Sequence, residues 1–215
     1  MVHRLAIALD FQLQSPVHIT GESAELYTDK ALLLDWQGEH ALIPATSLKG
    51  WLRDNIERAL RGMKISVCDS SQAELLCGQC IVCQLFGHPH RRALLRFSDI
   101  QLTEDIRDIR MNVSLSRYRR ASFEERLFST ELAWLPKFSC SIDALMDDAQ
   151  LARTAAALVY LGARTGFALG AARSRGLGWV TLTGYQASID GTALNPEDLH
   201  PHLKNLTAAT QEITP

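Results

Sequence analysis

The stretch TSLKGWLRDNIERALRG, residues 46–62, decides the fold, because its apolar side chains recur at the spacing of a helix. These residues share one helical face: Leu48, Trp51, Leu52, Ile56 and Leu60. Thr46 or Ser47 can cap the first turn, and Gly62 is placed to end the last turn. The stretch therefore predicts an amphipathic helix with its apolar face turned to a core.

The segments around this helix have the two-residue period of strands. At the N-terminus the alternating apolar residues are Leu5, Ile7, Leu9, Phe11 and Leu13. Further strands are predicted at 94–102, at 128–135 with a resumption at 138–142, and at 179–183, and a second helix at 149–162. This order predicts an α+β, ferredoxin-like (RRM-like) β-α-β-β-α-β domain, whose antiparallel sheet carries both helices on one face.

The composition is that of an ordinary soluble globular domain. Of 215 residues, 47% are hydrophobic and 21% are charged, with a formal net charge of -2, which excludes extensive disorder. No apolar run approaches the ~18 residues of a spanning helix, and Met1 leads directly into the first strand rather than into a signal peptide. We therefore expect no membrane partner and a cytoplasmic location, where cysteines stay reduced.

Positive charge is concentrated in two places. Between positions 107 and 120 five arginines stand against one acid, which gives a local charge of +4. A second group, Arg164, Arg173 and Arg175, overlaps the glycine-rich stretch from Gly170 to Gly178. Glycine lets backbone amides approach a phosphate closely, although such a stretch can also simply end a helix and turn tightly into a strand.

Four of the five cysteines lie within 16 residues, at Cys68, Cys77, Cys80 and Cys83. Their C-x8-C-x2-C-x2-C spacing is typical of a tetrahedral zinc site, and four thiolate ligands leave no open position, so we expect a structural Zn²⁺. His88 or His90 could replace Cys68 as the fourth ligand. The fifth cysteine, Cys140, falls in a strand pattern and is expected in the core.

Three of these stretches together resemble one family. IPATSLKGWLR (43–53) resembles the IPGSSLKGxLR entry to the first helix of the RAMP superfamily, CQLFG (83–87) resembles its C-x-LFG motif, and the stretch 170–178 resembles its C-terminal glycine-rich loop. Ala45 stands where the family usually has glycine, so the backbone there must avoid a positive φ. The chain looks most like the backbone subunits of type III CRISPR effector complexes, and its dense cysteines resemble the zinc-carrying III-D and III-E branches.

The resemblance implies a division of the chain. Residues 1–185 would form the RAMP domain, with a zinc-binding insert at 63–93 and a thumb-like hairpin at 103–127, and residues 186–215 a C-terminal tail. It also implies partners: a guide crRNA, a complementary target RNA, and further copies of this chain and other RAMP subunits in a filament that serves antiviral defence. Met111, Val113 and Leu115 would supply an apolar wedge into the guide–target duplex.

The implied RNA-binding residues come from the first helix, the hairpin and the glycine-rich loop. They are Ser47, Lys49, Arg53, Arg110, Arg117, Arg119, Arg120, Arg164, Gly170, Arg173, Ser174, Arg175, Gly176 and Gly178. Lys49 and Arg53 lie one turn apart and project to the same side. The plainer interpretation is a solvated helix face and a charged, solvent-exposed hairpin.

Asp29 and Asp35 are the candidate catalytic residues, because they match loop acids of the RNA-cleaving family members. A carboxylate with an ordinary pKa is a weak general base at neutral pH. We expect Asp29 to coordinate a hydrated Mg²⁺, or to orient a splayed nucleotide whose 2′-hydroxyl attacks the adjacent phosphorus. The sequence alone favours an ordinary exposed loop acid at Asp29, and the catalytic role comes only from the resemblance.

The leading hypothesis is therefore a crRNA-binding backbone subunit that cleaves complementary RNA at regular intervals, as a metal-dependent endoribonuclease. The alternative is a purely architectural subunit that binds guide RNA and recruits a separate nuclease. A third option, a guide-processing ribonuclease, would need a general base such as His18.

Overall fold

The fold is built around the first strand, whose alternating pattern turns five apolar side chains to one side of a sheet. The computed structural model describes residues 1–21 and 28–211, with side chains to residue 203. The strands are β1 (His3–Leu13), β2 (Ala41–Ile43), β3 (Arg96–Phe97), β4 (Ile100–Leu102), β5 (Ile106–Ser116), β6 (Ala121–Trp134), β7 (Lys137–Met146), β8 (Val180–Ile189) and β9 (Thr192–Leu194). The helices are α1 (Ala45–Gly62), α2 (Ile81–Phe86), α3 (Ala149–Thr165) and α4 (Pro196–Gln211), with short 3-10 turns at Ala73–Leu75 and Arg173–Arg175.

The main sheet has five strands in the order β3-β7-β1-β8-β9, and all its pairs are antiparallel. Leu9 of β1 lies opposite Cys140 of β7 on one side and Tyr185 of β8 on the other. Chain order and strand pairing are those of a β-α-β-β-α-β unit extended by β9. The predicted fold class is confirmed.

Both long helices pack on one face of this sheet. The five alternating residues of β1 are at most 2% exposed. The same holds for Leu48, Leu52, Ile56 and Leu60 of α1. Gly162 of α3 allows the helices to approach closely, since a Cβ there would lie 2.6 Å from Cγ1 of Ile56. Trp51 is edge-on to Phe11 and donates its indole N–H to the carbonyl of Ala168 at 2.8 Å.

One predicted strand lies in a different layer. Residues 128–135 form the inner end of β6, which pairs with β5 in a separate two-stranded hairpin, and the third strand of the main sheet is β7. Leu132 and Ala133 of β6 are buried, and Ala133 bridges Val17. The apolar alternation therefore predicts the strand correctly, but it does not determine the sheet to which the strand belongs.

Two boundaries also differ from prediction. The segment 94–102 divides into β3 and β4, and Asp99 between them accepts the Ala45 amide at 2.7 Å. This contact serves the start of α1, where neither Thr46 nor Ser47 caps the helix, and Ala45 has no positive φ.

The strand predicted at 179–183 is β8, which runs to Ile189, and the prediction ends too early because a bulge next to Gly184 shifts the period of the strand by one residue. Residues 186–189 lie in this strand, and β9 and α4 follow within the segment predicted as a tail. Ala187 and Ile189 belong to the core. In the described residues no helix is long and apolar enough to cross a membrane.

Candidate nucleic-acid interface and metal centre

The four clustered cysteines converge as predicted. Their Sγ atoms lie within 4.8 Å of one another, with Cys68 at 3.2 Å from Cys83 and 3.6 Å from Cys80. Sulfurs around a tetrahedral zinc with Zn–S bonds of about 2.3 Å lie about 3.8 Å apart, so the cluster fits a zinc ion. Amide hydrogen bonds, that of Cys80 foremost, lower the pKa of the exposed Cys77 thiol to about 6. The cluster could therefore hold Zn²⁺ with four thiolates.

Neither histidine of this segment replaces a cysteine. Nε2 of His88 lies 3.2 Å from the Leu76 carbonyl, and its Nδ1 accepts the His90 amide at 3.3 Å. Both ring nitrogens of His88 are thus engaged by the backbone. Cys140 lies in the core of the main sheet, where burial raises its thiol pKa to about 12.

Arg53 joins the cysteine insert to α1 instead of pointing into solvent. Its Nε donates to the carboxylate of Glu57 at 2.9 Å, and its other nitrogens reach the Gly87 carbonyl at 3.1 Å and Sγ of Cys83 at 3.6 Å. The buried Glu57 also accepts from Arg61 and from both the amide and hydroxyl of Ser70. With its side chain only 13% exposed, Arg53 supports the insert and has little freedom to contact RNA.

The remaining predicted residues of α1 lie closer to solvent. Ser47 lines a cleft of about 510 Å³ between the first turn of α1 and the glycine-rich loop, together with Gly50, Gly170 and Arg173. Lys49 is half-buried beside Arg53, and burial, followed by the charge of Arg53, lowers its pKa. The prediction that Lys49 and Arg53 project to the same side agrees with this proximity.

The hairpin of β5 and β6 presents an apolar ridge to solvent. The residues of this ridge are 45–69% exposed: Ile109, Met111, Val113, Leu115 and Leu127. The first four alternate along β5, and Val113 lies opposite Leu127, so the side chains share one face. At the tip, Arg117, Arg119 and Arg120 are exposed beside Tyr118. The predicted wedge residues and the predicted cations therefore occupy one projecting element.

Asp29 is held against this hairpin. Its Oδ2 accepts the Ser129 amide at 2.7 Å and the Ser129 hydroxyl at 2.9 Å, and its own amide donates to the same hydroxyl. These hydrogen bonds, the one from the amide foremost, keep the pKa of the Asp29 carboxyl below its ordinary value. Ser129 lies opposite Met111, so an exposed, ionised carboxylate lies beside the apolar ridge.

Asp35 has different hydrogen-bond partners from Asp29. Its Oδ1 accepts the Glu39 amide at 2.9 Å, and its backbone bonds to His40 and Gly38, so it closes the turn between Leu34 and Ala41. The side chain is 7% exposed, and the Glu39 bond lowers the pKa of its carboxyl. Where the structure describes the chain, the cysteines form the only metal-ligating group of three or more residues. The structure thus places Asp35 in a turn, and its catalytic role stays a prediction.

The glycine-rich loop is folded onto the segment that follows β1. Gly170 and Gly178 have positive φ, and a Cβ would come within 2.6 Å of the His18 carbonyl oxygen at Gly170 and 1.8 Å of the Leu169 oxygen at Gly178. The Ala171 amide donates to His18 and the Gly178 amide to Pro16, each at 2.8 Å. Gly170 and Gly178 therefore allow the loop backbone to pack closely against neighbouring carbonyl groups. Gly176 lies at the open tip, where no atom would contact a Cβ.

The tip of this loop and the end of α3 carry the second group of cations. Arg164, Arg173 and Arg175 are exposed, and so is Ser174. Among the described residues, none of these arginines pairs with a carboxylate, and neither does Arg110, Arg117, Arg119 or Arg120. Arg107 differs, because Asp105 and the Glu39 carbonyl hold it at the base of the hairpin. Seven arginines with no carboxylate partner in the described part of the chain thus face solvent on the hairpin, the glycine-rich loop and the end of α3.

His18 is not placed as a general base. It is 2% exposed, its Nδ1 lies 2.7 Å from the Glu131 carbonyl, and its Nε2 lies 3.0 Å from the Thr20 hydroxyl. Burial lowers the pKa of His18, so the ring is a neutral structural group. These contacts leave no free nitrogen to take a proton from a ribose hydroxyl.

Sequence reasoning missed the residues that join the Asp29 segment to the hairpin. Lys30 bridges Thr130 in parallel, and the Leu32 amide donates to the Glu131 carboxylate at 2.9 Å. A short extended segment thereby lies beside β6. No local signal marks this pairing, because its partners are about a hundred residues apart in the chain.

Comparisons with known proteins identify the family of the chain. The family model of the RAMP superfamily matches residues 10–181. No curated protein sequence matches. The chain is similar to the solved structure of the type III-B Cmr-beta bound to cognate target RNA, with a TM-score of 0.60 and 15% sequence identity. The match covers 86% of this chain and 60% of that one, so this chain spans about 60% of the length of the solved chain.

Proposed function

The chain belongs to the RAMP superfamily, and on this basis we propose that it is an RNA-binding backbone subunit of a type III CRISPR effector complex. The similar solved structure is a type III-B assembly bound to cognate target RNA, which supports the same class of partner. One observation carries the proposal: a projecting hairpin combines an exposed apolar ridge with arginines that pair with no carboxylate among the described residues. Such a surface suits a polyanion with stackable bases.

Guide crRNA would be held along the cleft between α1 and the glycine-rich loop. Ser47 and Gly170 line this cleft, and Arg173 stands at its edge. Arg164 and Arg175 would add charge-assisted contacts to further phosphates. These contacts read the backbone of the strand and leave sequence recognition to base pairing with a complementary target.

Target cleavage is the finer part of the proposal. Met111 and its neighbours on the ridge would separate bases of the guide–target duplex next to Asp29, which the Ser129 hydrogen bonds hold in a fixed orientation. The ribose 2′-hydroxyl would then attack the adjacent phosphorus, leaving a 2′,3′-cyclic phosphate and a 5′-hydroxyl. Asp29 would hold a hydrated Mg²⁺, which binds through one or two carboxylates plus substrate phosphates and supplies a Lewis acid when bound.

The assembly and the cofactor follow from the same resemblance. Further copies of this chain and other RAMP subunits would stack along one guide as a filament in the cytoplasm. The cysteine cluster would hold a structural Zn²⁺, as in the zinc-carrying III-D and III-E branches. Support for the ion comes from the four converging thiols and from the contact of Arg53 with Cys83.

An architectural subunit without nuclease activity is the second candidate. It is favoured by the position of Asp35, which closes a turn and leaves Asp29 as the one predicted acid beside the ridge. In that case the subunit would bind guide RNA and recruit a separate nuclease.

Binding of single-stranded RNA to the purified chain tests the proposal. We expect log K to fall with log salt at a slope of about -3, which corresponds to about four neutralised phosphates on a single strand. Fluorescence anisotropy from about 50 to about 200 mM salt measures it. Arg173→Gln should weaken binding and flatten the slope. Arg4→Gln, near the start of the central strand β1 and beside Asp143, is the control. Absence of RNA binding at the lowest salt would contradict the proposal.

A further inference from the structure

A small cavity lies where three segments of the chain meet. The base of the hairpin, the residues around position 30 and the glycine-rich loop enclose about 80 Å³. The lining residues are His18, Thr20, Lys30, Arg110, Asn112, Thr130, Ala171, Ala172, Arg175 and Leu177. A cavity of this volume holds several water molecules, which is enough space for a phosphate group.

The charges around this cavity all have one sign. Lys30, Arg110 and Arg175 come from three separate segments, and no carboxylate is among the lining residues. In the described ranges none of the three forms an ion pair. The nearby Glu131 binds the Leu32 amide through its carboxylate and does not line the cavity. Three cations held together without an anion repel one another, which a bound anion would relieve.

Four of the uncharged lining residues are polar: His18, Thr20, Asn112 and Thr130. His18 is fixed between the Glu131 carbonyl and the Thr20 hydroxyl, and Asn112 donates its side-chain amide to the Thr130 hydroxyl at 3.1 Å. Thr130 is only 6% exposed and lies at the buried base of the hairpin. The cavity therefore combines rigid neutral groups with three longer cationic side chains, an arrangement suited to an oxyanion.

We propose that this cavity binds a single phosphate group of the RNA backbone, and that this phosphate fixes the base of the hairpin to the glycine-rich loop. The inference rests on the proposed function and deepens it. Asp29 accepts a hydrogen bond from Ser129 of the hairpin, and their chain neighbours Lys30 and Thr130 line the cavity. An anion in the cavity would thus set the position of the segment that carries Asp29.

The first test compares charge-removing variants of the full-length chain. Arg110→Gln and Lys30→Gln should each weaken binding of single-stranded RNA by about 10-fold or more, since a charge-assisted hydrogen bond is lost. Arg153→Gln is the matched control, because Arg153 is an exposed arginine of α3 that lies outside the cavity. Its effect should be about 3-fold or less. Equal effects of Arg153→Gln and the cavity variants would overturn the proposal. Thermal melting checks that each variant is folded.

A second test separates the cavity from the proposed function. Hydrogen exchange should slow at the amides of residues 108–112 and 171–177 when RNA is added to the wild-type chain, and also with millimolar inorganic phosphate alone. If RNA does not bind but phosphate still slows exchange there, the cavity is an anion site and the proposed function fails. If RNA binds and these amides exchange as before, the cavity proposal fails and the proposed function stands. If RNA does not bind and phosphate gives no protection, both proposals are overturned.

Discussion

Replacing Cys83 with serine is expected to abolish zinc binding and to lower the melting temperature by about 10 °C. Cys83 is fully buried at the start of α2, with its sulfur within reach of both Cys68 and Arg53. Structural zinc contributes on the order of 10 kcal/mol to small metal-dependent domains, and loss of even about 3 kcal/mol shifts Tm by roughly 6–12 °C at this chain length. Inductively coupled plasma mass spectrometry and calorimetry measure the two effects.

Cys140→Ser is the matched control for this prediction. Cys140 is a buried thiol of β7 outside the cluster, so its replacement should cost some stability and leave the zinc content unchanged. A Cys83→Ser protein that keeps one zinc per chain would show that the cluster is not the metal site. A wild-type protein purified without metal, whose melting does not respond to zinc or chelators, would contradict a structural zinc.

Asp29→Asn is expected to slow cleavage of complementary target RNA by at least about 100-fold in the assembled complex. Asparagine keeps an oxygen that can accept the Ser129 amide, so the local geometry is preserved and the negative charge is removed. Binding of guide and target should stay within about 2-fold, because Asp29 adds no positive charge to the RNA surface. Single-turnover cleavage of end-labelled RNA, read beside a binding assay, measures both quantities.

Asp108→Asn provides the comparison for that experiment. Asp108 is an exposed acid of the same hairpin and lies opposite Leu132, away from Ser129. Its replacement should leave the rate unchanged. If the Asp29→Asn complex cleaves at the wild-type rate, the chain is an architectural subunit and the nuclease is another component. A target with 2′-deoxyribose at the cleaved position should be bound and left intact.

The parts of the fold that sequence predicted are those encoded locally. Alternation in 5–13 and helical spacing in 48–60 each depend on neighbours within a few residues, and both elements formed as expected. The cysteine cluster was equally readable, since C-x2-C turns bring thiols together whatever the rest of the chain does. These features required no knowledge of distant contacts.

The errors arise where a local pattern has more than one use. Alternation at 128–135 identified a strand but not its layer, and the Gly184 bulge hid the second half of β8. Arg53 has the helical spacing of a cation that faces solvent. Its guanidinium instead forms an ion pair with the buried Glu57, four residues later. Asp29 and Asp35 look equivalent in sequence. In the structure residues 29–32 pair with β6, so Asp29 lies against the hairpin, whereas Asp35 closes a turn.

Ultraviolet crosslinking of bound single-stranded RNA, with mass spectrometry of the attached peptides, tests the central claim most directly. The claim is that RNA lies along the hairpin and the glycine-rich loop. We predict crosslinks in residues 109–128, which include Tyr118 and Phe123, and in residues 167–179, which include Phe167 and Trp179. Crosslinks confined to the open face of the sheet, around Ala8, Ser141 and Gln186, would contradict it.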